Sequence, residues 1–154
     1  MKKLIIVQAR MTSTRLPGKV MEVVCGKPLL EHLIDRLKRV KYADRIVIAT
    51  TVNETDDIIV ELCEKLDISY YRGSEEDVLG RYYETAVEYG GDIIIRITSD
   101  CPVIDPEVVD YLINFFTNNT EKYDYVSNTL ERSYPKGMDA EIVSFKALKE
   151  AHFN

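Results

Sequence analysis

The stretch Leu4-Ile5-Ile6-Val7-Gln8-Ala9-Arg10-Met11-Thr12-Ser13-Thr14-Arg15-Leu16-Pro17-Gly18-Lys19 decides the fold class. Four consecutive branched or long apolar residues make a short run of the kind buried on both faces in a parallel sheet. The run ends at Gln8 and Arg10, too early for a membrane span or the apolar region of a secretion signal. Past the strand, the chain enters a loop with three cations and three hydroxyls that closes at Pro17-Gly18.

Outward from this strand the pattern repeats. Further strands are expected at Arg45–Thr50, Ile68–Tyr71, Asp92–Thr98, Tyr123–Ser127 and Ala140–Ser144. Amphipathic stretches fill the intervals: Leu29–Val40, Glu54–Leu66, Asp77–Tyr89 and Pro106–Phe116, the last opened by Asp105-Pro106 as cap and first turn. A further helix starts near Phe145. Strands alternating with helices predict an α/β, Rossmann-like three-layer fold with a mostly parallel central sheet, built of β-α units throughout. The 154 residues, 45% of them hydrophobic, suffice for a single domain spanning residues 1–154.

Charge narrows the function. A formal net charge of −6 disfavours a nucleic-acid-coating protein, since neutralising phosphates needs a basic face. Cys25, Cys63 and Cys101 are odd in number and lack metal-binding spacing, so they read as reduced thiols of a cytoplasmic protein. Neither His32 nor His152 lies near another candidate catalytic group, and Cys101 reads as a turn-filling thiol rather than a nucleophile.

In an open parallel sheet the ligand sits outside the carboxyl ends of the strands. The first loop therefore reads as an anion site: Arg10 and Arg15 can fork onto phosphate oxygens and Lys19 can act as a point charge. It is neither a P-loop nor a GxGxxG turn. After the fourth strand comes Ser99-Asp100-Cys101-Pro102, where Asp100 is placed either to hold Mg²⁺ or to bond backbone amides in its own turn.

These residues resemble a known family. Gln8-Ala9-Arg10 through Arg15-Leu16-Pro17-Gly18-Lys19 is similar to the signature loop of the cytidylyltransferases that activate 3-deoxy-manno-octulosonate and neuraminate-type sugars. Within them, Gln8-Ala9-Arg10-Met11, Arg72-Gly73-Ser74 with Asp77-Val78-Leu79-Gly80-Arg81-Tyr82, and Ser99-Asp100-Cys101-Pro102 most resemble the spore coat polysaccharide biosynthesis protein F group.

The resemblance implies a nucleotide-diphospho-sugar transferase (GT-A-like) fold and transfer of CMP from CTP to an acidic sugar, with release of pyrophosphate and Mg²⁺ as cofactor. It implies catalytic roles for Arg10, Lys19 and Asp100, with Asp100 as metal ligand. Nucleotide contacts are implied for Gln8, Ala9, Arg10, Ser13, Arg15, Lys19, Arg72, Arg81 and Ser99. Arg72 and Arg81 also read as ion-pair partners of Glu75, Glu76 or Glu84. Lys136 and Asp139 are implied near the acceptor sugar, as is Glu141, although acids beside a strand are commonly solvated.

Family members normally continue beyond the length seen here, adding a dimerisation element and a further acid at the metal site. The sequence is therefore expected to be part of a longer, homodimeric protein. A glycosyltransferase or another sugar nucleotidyltransferase of the same fold is the rival enzyme reading, and a non-catalytic nucleotide-binding module is the rival from another class.

Overall fold

The computed structural model describes residues 1–154. The chain runs β1 (Lys3–Gln8), a 3-10 turn (Lys19–Met21), β2 (Val23–Val24), β3 (Lys27–Pro28), α1 (Leu29–Leu37), β4 (Arg45–Thr51), a second 3-10 turn (Glu54–Asp56) and α2 (Asp57–Lys65). It continues through β5 (Ser69–Gly73), α3 (Val78–Tyr89), β6 (Ile93–Thr98), α4 (Pro106–Thr117), β7 (Tyr125–Ser127), β8 (Glu141–Ser144) and α5 (Phe145–Phe153).

Six strands form one sheet in the order β5-β4-β1-β6-β8-β7. The first four are mutually parallel, as strands buried between two helical layers should be. Alternation along β1 sorts its side chains. Ile5 and Val7 join α1, α2 and α4 in a cluster of 23 buried residues, whereas Leu4 and Ile6 face α3 and α5 through Tyr82, Ala86 and Leu148. Each fully buried Leu or Ile contributes about 1.5–3 kcal/mol, so these two clusters hold the three layers together.

Local chemistry sets the helix starts. Asp105 accepts from the Glu107 amide at 2.9 Å, with Pro106 in the first turn of α4. Asp77 accepts from the Gly80 amide at 2.8 Å, and Ser144 caps α5 through the Ala147 amide at 3.1 Å. Such caps are each worth about 1 kcal/mol.

Two expectations are corrected. The chain is not built of β-α units throughout: β7 and β8 are joined without a helix, β8 lies antiparallel to β6, and β7 lies antiparallel to β8. The interval before α1 also carries a small hairpin, β2–β3, turned by Cys25 and Gly26 at φ 50° and 79°. Positive φ at both central residues matches the twist that a two-residue hairpin needs.

Candidate functional site

The sheet reverses direction of growth between β1 and β6. From β1 the chain moves outward to β4 and β5, then returns to the other side of β1 as β6, which makes the carboxyl ends of β1 and β6 a topological switch point where α/β folds bind ligands. Gln8 and Thr98, the last residues of the two strands, are paired in register there. A cleft of about 390 Å³ opens beyond them. One wall is the first loop, with Arg10, Ser13, Arg15 and Lys19; the other carries Thr98, Ser99 and Asp100; Gln8 and Arg96 form the floor between them.

The loop is tied into shape. Gly18 donates its amide to the Met11 carbonyl at 2.8 Å, closing residues 11–18 on themselves, and Lys19 donates to Leu16 at 3.2 Å. Gly18 sits at φ 74°, a left-handed conformation that a Cβ would strain. Beneath, the fully buried Asp56 carboxylate takes the Met11 amide at 2.7 Å and also the Thr51 hydroxyl.

Arg10 is not a free cation. Its guanidinium pairs with Glu75 at 3.2 Å, and Glu75 also accepts from Thr12 at 2.7 Å and from the Asn53 amide. The Thr12 hydroxyl and the Asn53 amide, with Arg10 behind them, hold the Glu75 carboxyl below the ordinary range. Arg15 and Lys19 are exposed along the cleft, and neither makes an ion pair within 4 Å (the pairs are those of Arg10, Lys27, Arg72, Arg96 and Arg132).

On the opposite wall, Thr98 donates its hydroxyl to Asp100 at 2.5 Å. That bond, together with the Asp100 amide, the Cys101 thiol and the charge of Lys19, keeps the Asp100 carboxyl below its usual value despite partial burial. Cys101 goes the other way: burial, aided by Asp100, raises its pKa. It is a protonated turn thiol at neutral pH, not a nucleophile.

Nowhere do three or more His, Cys, Asp or Glu side chains gather as a metal cluster. An ionised, exposed carboxylate at the mouth of a polar cleft nevertheless suits Mg²⁺, which keeps several waters and takes one or two carboxylates plus phosphate oxygens. Asp100 is the carboxylate so placed.

A cation-lined loop after β1 and an acid after β6 thus meet at the switch point. The family model for cytidylyltransferases matches residues 4–152. The chain belongs to the cytidylyltransferase family.

Among relatives of this chain, an uncharacterized protein of Methanocaldococcus jannaschii is 40% identical over all of the chain and 61% of its own length. The spore coat polysaccharide biosynthesis protein SpsF of Bacillus subtilis is 38% identical over 94% of the chain and 60% of its own length. The chain thus spans about three fifths of these relatives. A cytidylyltransferase structure from Leptospira borgpetersenii superposes with a TM-score of 0.96 at 37% identity, covering 99% of this chain and 64% of that one. A 3-deoxy-manno-octulosonate cytidylyltransferase of Pelobacter propionicus is 30% identical over 70% of the chain and 42% of its own length.

Not every residue named from the sequence reaches the cleft. Ala9 is buried, and its amide donates to the Ala49 carbonyl at 3.1 Å, so its side chain packs in the core. Arg72 is turned onto the end of β4: it donates to the carbonyls of Thr51 and Asn53, both at 2.8 Å, and pairs with Asp57 at 2.8 Å rather than with Glu75, Glu76 or Glu84. Arg81 is 1% exposed and donates to the Ser74 carbonyl at 2.8 Å, while its Nε and Nη2 have no partner. Burial, with Arg10 nearby, draws its pKa down. Both arginines thus pack behind the cleft instead of lining it.

A second cavity of about 230 Å³ adjoins the first, lined by Arg96, Thr98, Thr129, Arg132, Asp139, Ala140 and Glu141. Asp139 borders it in a two-point pair with Arg132 at 2.9 and 3.2 Å. Lys136 is exposed and borders neither cavity.

Sequence reasoning passed over Arg96, Arg132 and Asp56. Arg96 left a signal, a lone cation inside Ile93-Ile94-Ile95-Arg96-Ile97. Asp56 left none, since an acid opening an amphipathic helix ordinarily serves the helix N-terminus.

Proposed function

We propose that this cytidylyltransferase transfers CMP from CTP to an acidic sugar with release of pyrophosphate, Mg²⁺ being held by Asp100. The observation that carries this reading is the cleft itself: Arg10, Arg15 and Lys19 on one wall face Asp100 on the other, across the switch point at Gln8 and Thr98. Bound there, Mg²⁺ supplies Lewis-acid charge stabilisation to the phosphates.

The chain's own residues do the rest. Arg15 and Lys19 receive the β- and γ-phosphates, and Ser13 and Ser99 complete the polar lining. Arg10, steadied by Glu75, contributes directional donors from a fixed position rather than a mobile charge. Nucleotidyl transfer needs positioning and charge stabilisation more than a covalent intermediate, which agrees with a cleft lined by neither cysteine nor histidine. The acidic acceptor is inferred from the 3-deoxy-manno-octulosonate cytidylyltransferases among the relatives, and a role in polysaccharide biosynthesis from SpsF. No helix is long and apolar enough to cross a membrane.

A thermal melt with CTP, UTP, GTP or ATP, each with and without Mg²⁺, tests the reading. At about a hundred times its dissociation constant a ligand stabilises by roughly 2.7 kcal/mol, or on the order of 5–10 °C here. The expected result is a Mg²⁺-dependent shift for CTP that exceeds the other three. Equal shifts for all four nucleotides, or none for CTP in a cooperatively melting sample, would overturn it.

A further inference from the structure

The ten residues Arg36-Leu37-Lys38-Arg39-Val40-Lys41-Tyr42-Ala43-Asp44-Arg45 hold five cations and one acid, in a chain whose formal net charge is −6. They run from the last turn of α1 to the first residue of β4, at the end of the sheet where the parallel strands begin. Lys3 opens β1 beside them, its carbonyl accepting the Asp44 amide at 2.8 Å. The nucleotide cleft lies beyond Gln8, at the other end of the same strands. The length of β1, about 17 Å at the usual rise of a strand, separates the two.

The acids of this face are fastened to backbone amides. Asp44 accepts from Lys3 at 2.7 Å, Asp92 from Lys2 at 2.6 Å, and Asp110 from Lys41 and Tyr42 at 2.9 and 3.0 Å. None of the three forms an ion pair, and neither does Glu107, which borders a cavity with Arg39 and Lys41. Arg36 turns inward onto the Ile104 carbonyl at 3.3 Å. The other four cations, Lys38, Arg39, Lys41 and Arg45, are exposed and pair with no acid.

Between Lys38 and Arg45 a slot of about 230 Å³ opens onto the apolar side chains of Leu37, Val40, Ala43 and Ile46. Cations beside an apolar slot call for a partner that carries anionic groups and apolar chains together. Tyr42, 52% exposed among these cations, adds an amphipathic ring of the kind that settles at the level of lipid headgroups.

We propose that the Lys38–Arg45 face docks on an anionic lipid bilayer. The four exposed cations meet headgroup phosphates, Tyr42 enters the headgroup layer, and the slot receives apolar lipid atoms. The acidic remainder of the molecule is repelled by the same surface, so the docking is oriented. The cleft then opens away from the bilayer and stays reachable from solvent. Each Lys or Arg close to such a surface raises the partition about fivefold, which makes the attachment reversible and sensitive to salt.

Sedimentation of the chain with phosphatidylcholine vesicles, with and without an equal part of phosphatidylglycerol, tests the docking. Wild type is expected to sediment with the anionic vesicles, to remain in solution with pure phosphatidylcholine, and to be released as salt is raised. The triple variant Lys38→Glu, Arg39→Glu, Lys41→Glu should melt cooperatively and partition about a hundredfold less or lower. Arg15→Glu with Lys19→Glu, at the cleft, should stay within about threefold of wild type. On wild type alone, nitroxide-labelled lipid should broaden the amide NMR signals of residues 38–45 and spare those of 11–18. Failure of wild type to sediment with anionic vesicles overturns the proposal, as do equal binding to pure phosphatidylcholine and unchanged binding by the triple variant. Loss of binding in the cleft variant alone, or broadening at 11–18 instead of 38–45, puts the lipid contact at the cleft and overturns it too. Binding to poly-glutamate but not to anionic vesicles would give the face to an acidic protein segment instead.

Discussion

The Asp56 carboxylate accepts the backbone amide of Met11 at 2.7 Å across 45 residues of sequence, from a position with no solvent exposure. It ties the first loop to the end of β4, where the Thr51 hydroxyl shares the same carboxylate. Replacing it with alanine strands a backbone donor and a hydroxyl in the interior. Asp56→Ala is expected to cost about 1–3 kcal/mol, lowering the melting temperature by roughly 2–4 °C per kcal/mol for a chain this size. Calorimetry on the variant should also show weaker CTP binding than in wild type, because the loop loses its anchor. An unchanged melt would show that solvent replaces the carboxylate.

Lys19 is expected to contribute to nucleotide binding without contributing to the fold. It is exposed and makes no ion pair in the structure, so Lys19→Ala should change stability by no more than about 0.5 kcal/mol. Loss of a charge-assisted contact to phosphate should weaken CTP about tenfold or more, the equivalent of roughly 1.5–3 kcal/mol, and CMP much less. The difference between wild type and variant should shrink as salt is raised, since exposed charges are screened. Isothermal titration with CTP and CMP at two salt concentrations checks both statements; equal losses for the two nucleotides would place Lys19 away from the β- and γ-phosphates.

The acid side of the pH dependence of nucleotide binding is expected to depend on Thr98. Its hydroxyl is the largest influence holding the Asp100 carboxyl down, with Lys19 a smaller one. A carboxylate whose folded pKa is depressed favours the folded protein above the unfolded value, and this contribution disappears as pH falls through the folded pKa. Thr98→Val removes the donor, so the Asp100 midpoint should move upward toward the ordinary carboxylate range. Mg²⁺-dependent nucleotide binding should then fail at a higher pH. Titration of the Asp100 side-chain carbon by NMR in the two proteins reads this directly, and coincident midpoints would assign the depression to other groups.

Much of this architecture is legible in the sequence because the dominant forces are local. Ile5 to Val7 announce a doubly buried strand, Asp105-Pro106 a helix start, and the position of Arg10, Arg15, Lys19 and Asp100 after their strands places them at the ligand edge of any parallel sheet. The less legible parts depend on partners far away in the chain. Glu75 read as a helix-terminus acid until Arg10, Thr12 and Asn53 converged on it. Glu141 gave no sign of meeting Arg96, since that requires knowing that β8 runs antiparallel. The Cys25-Gly26 turn escaped because cysteine is not a residue that signals positive φ. Arg72 satisfies the carbonyl of Thr51 at the end of β4 and that of Asn53 just beyond it, an outcome that its neighbours in sequence do not encode.

Arg81 is a case where stability and function should separate. A nearly fully buried guanidinium with two unpartnered nitrogens is an expensive way to fill space, and an apolar side chain of similar length often serves a core as well or better. Arg81 does, however, hold the Ser74 carbonyl at 2.8 Å, immediately before Glu75 and hence behind Arg10. Arg81→Met should therefore melt at or above the wild-type temperature while binding CTP more weakly, because the residues that orient Arg10 lose their tether. Arg81→Lys should recover part of the affinity, since an ammonium on a stem of similar length can still reach that carbonyl. Paired melts and titrations on the two variants decide the matter: a large drop in melting temperature for Arg81→Met would make the arginine a structural residue first, and unchanged affinity would break the link from Arg81 through Glu75 to Arg10.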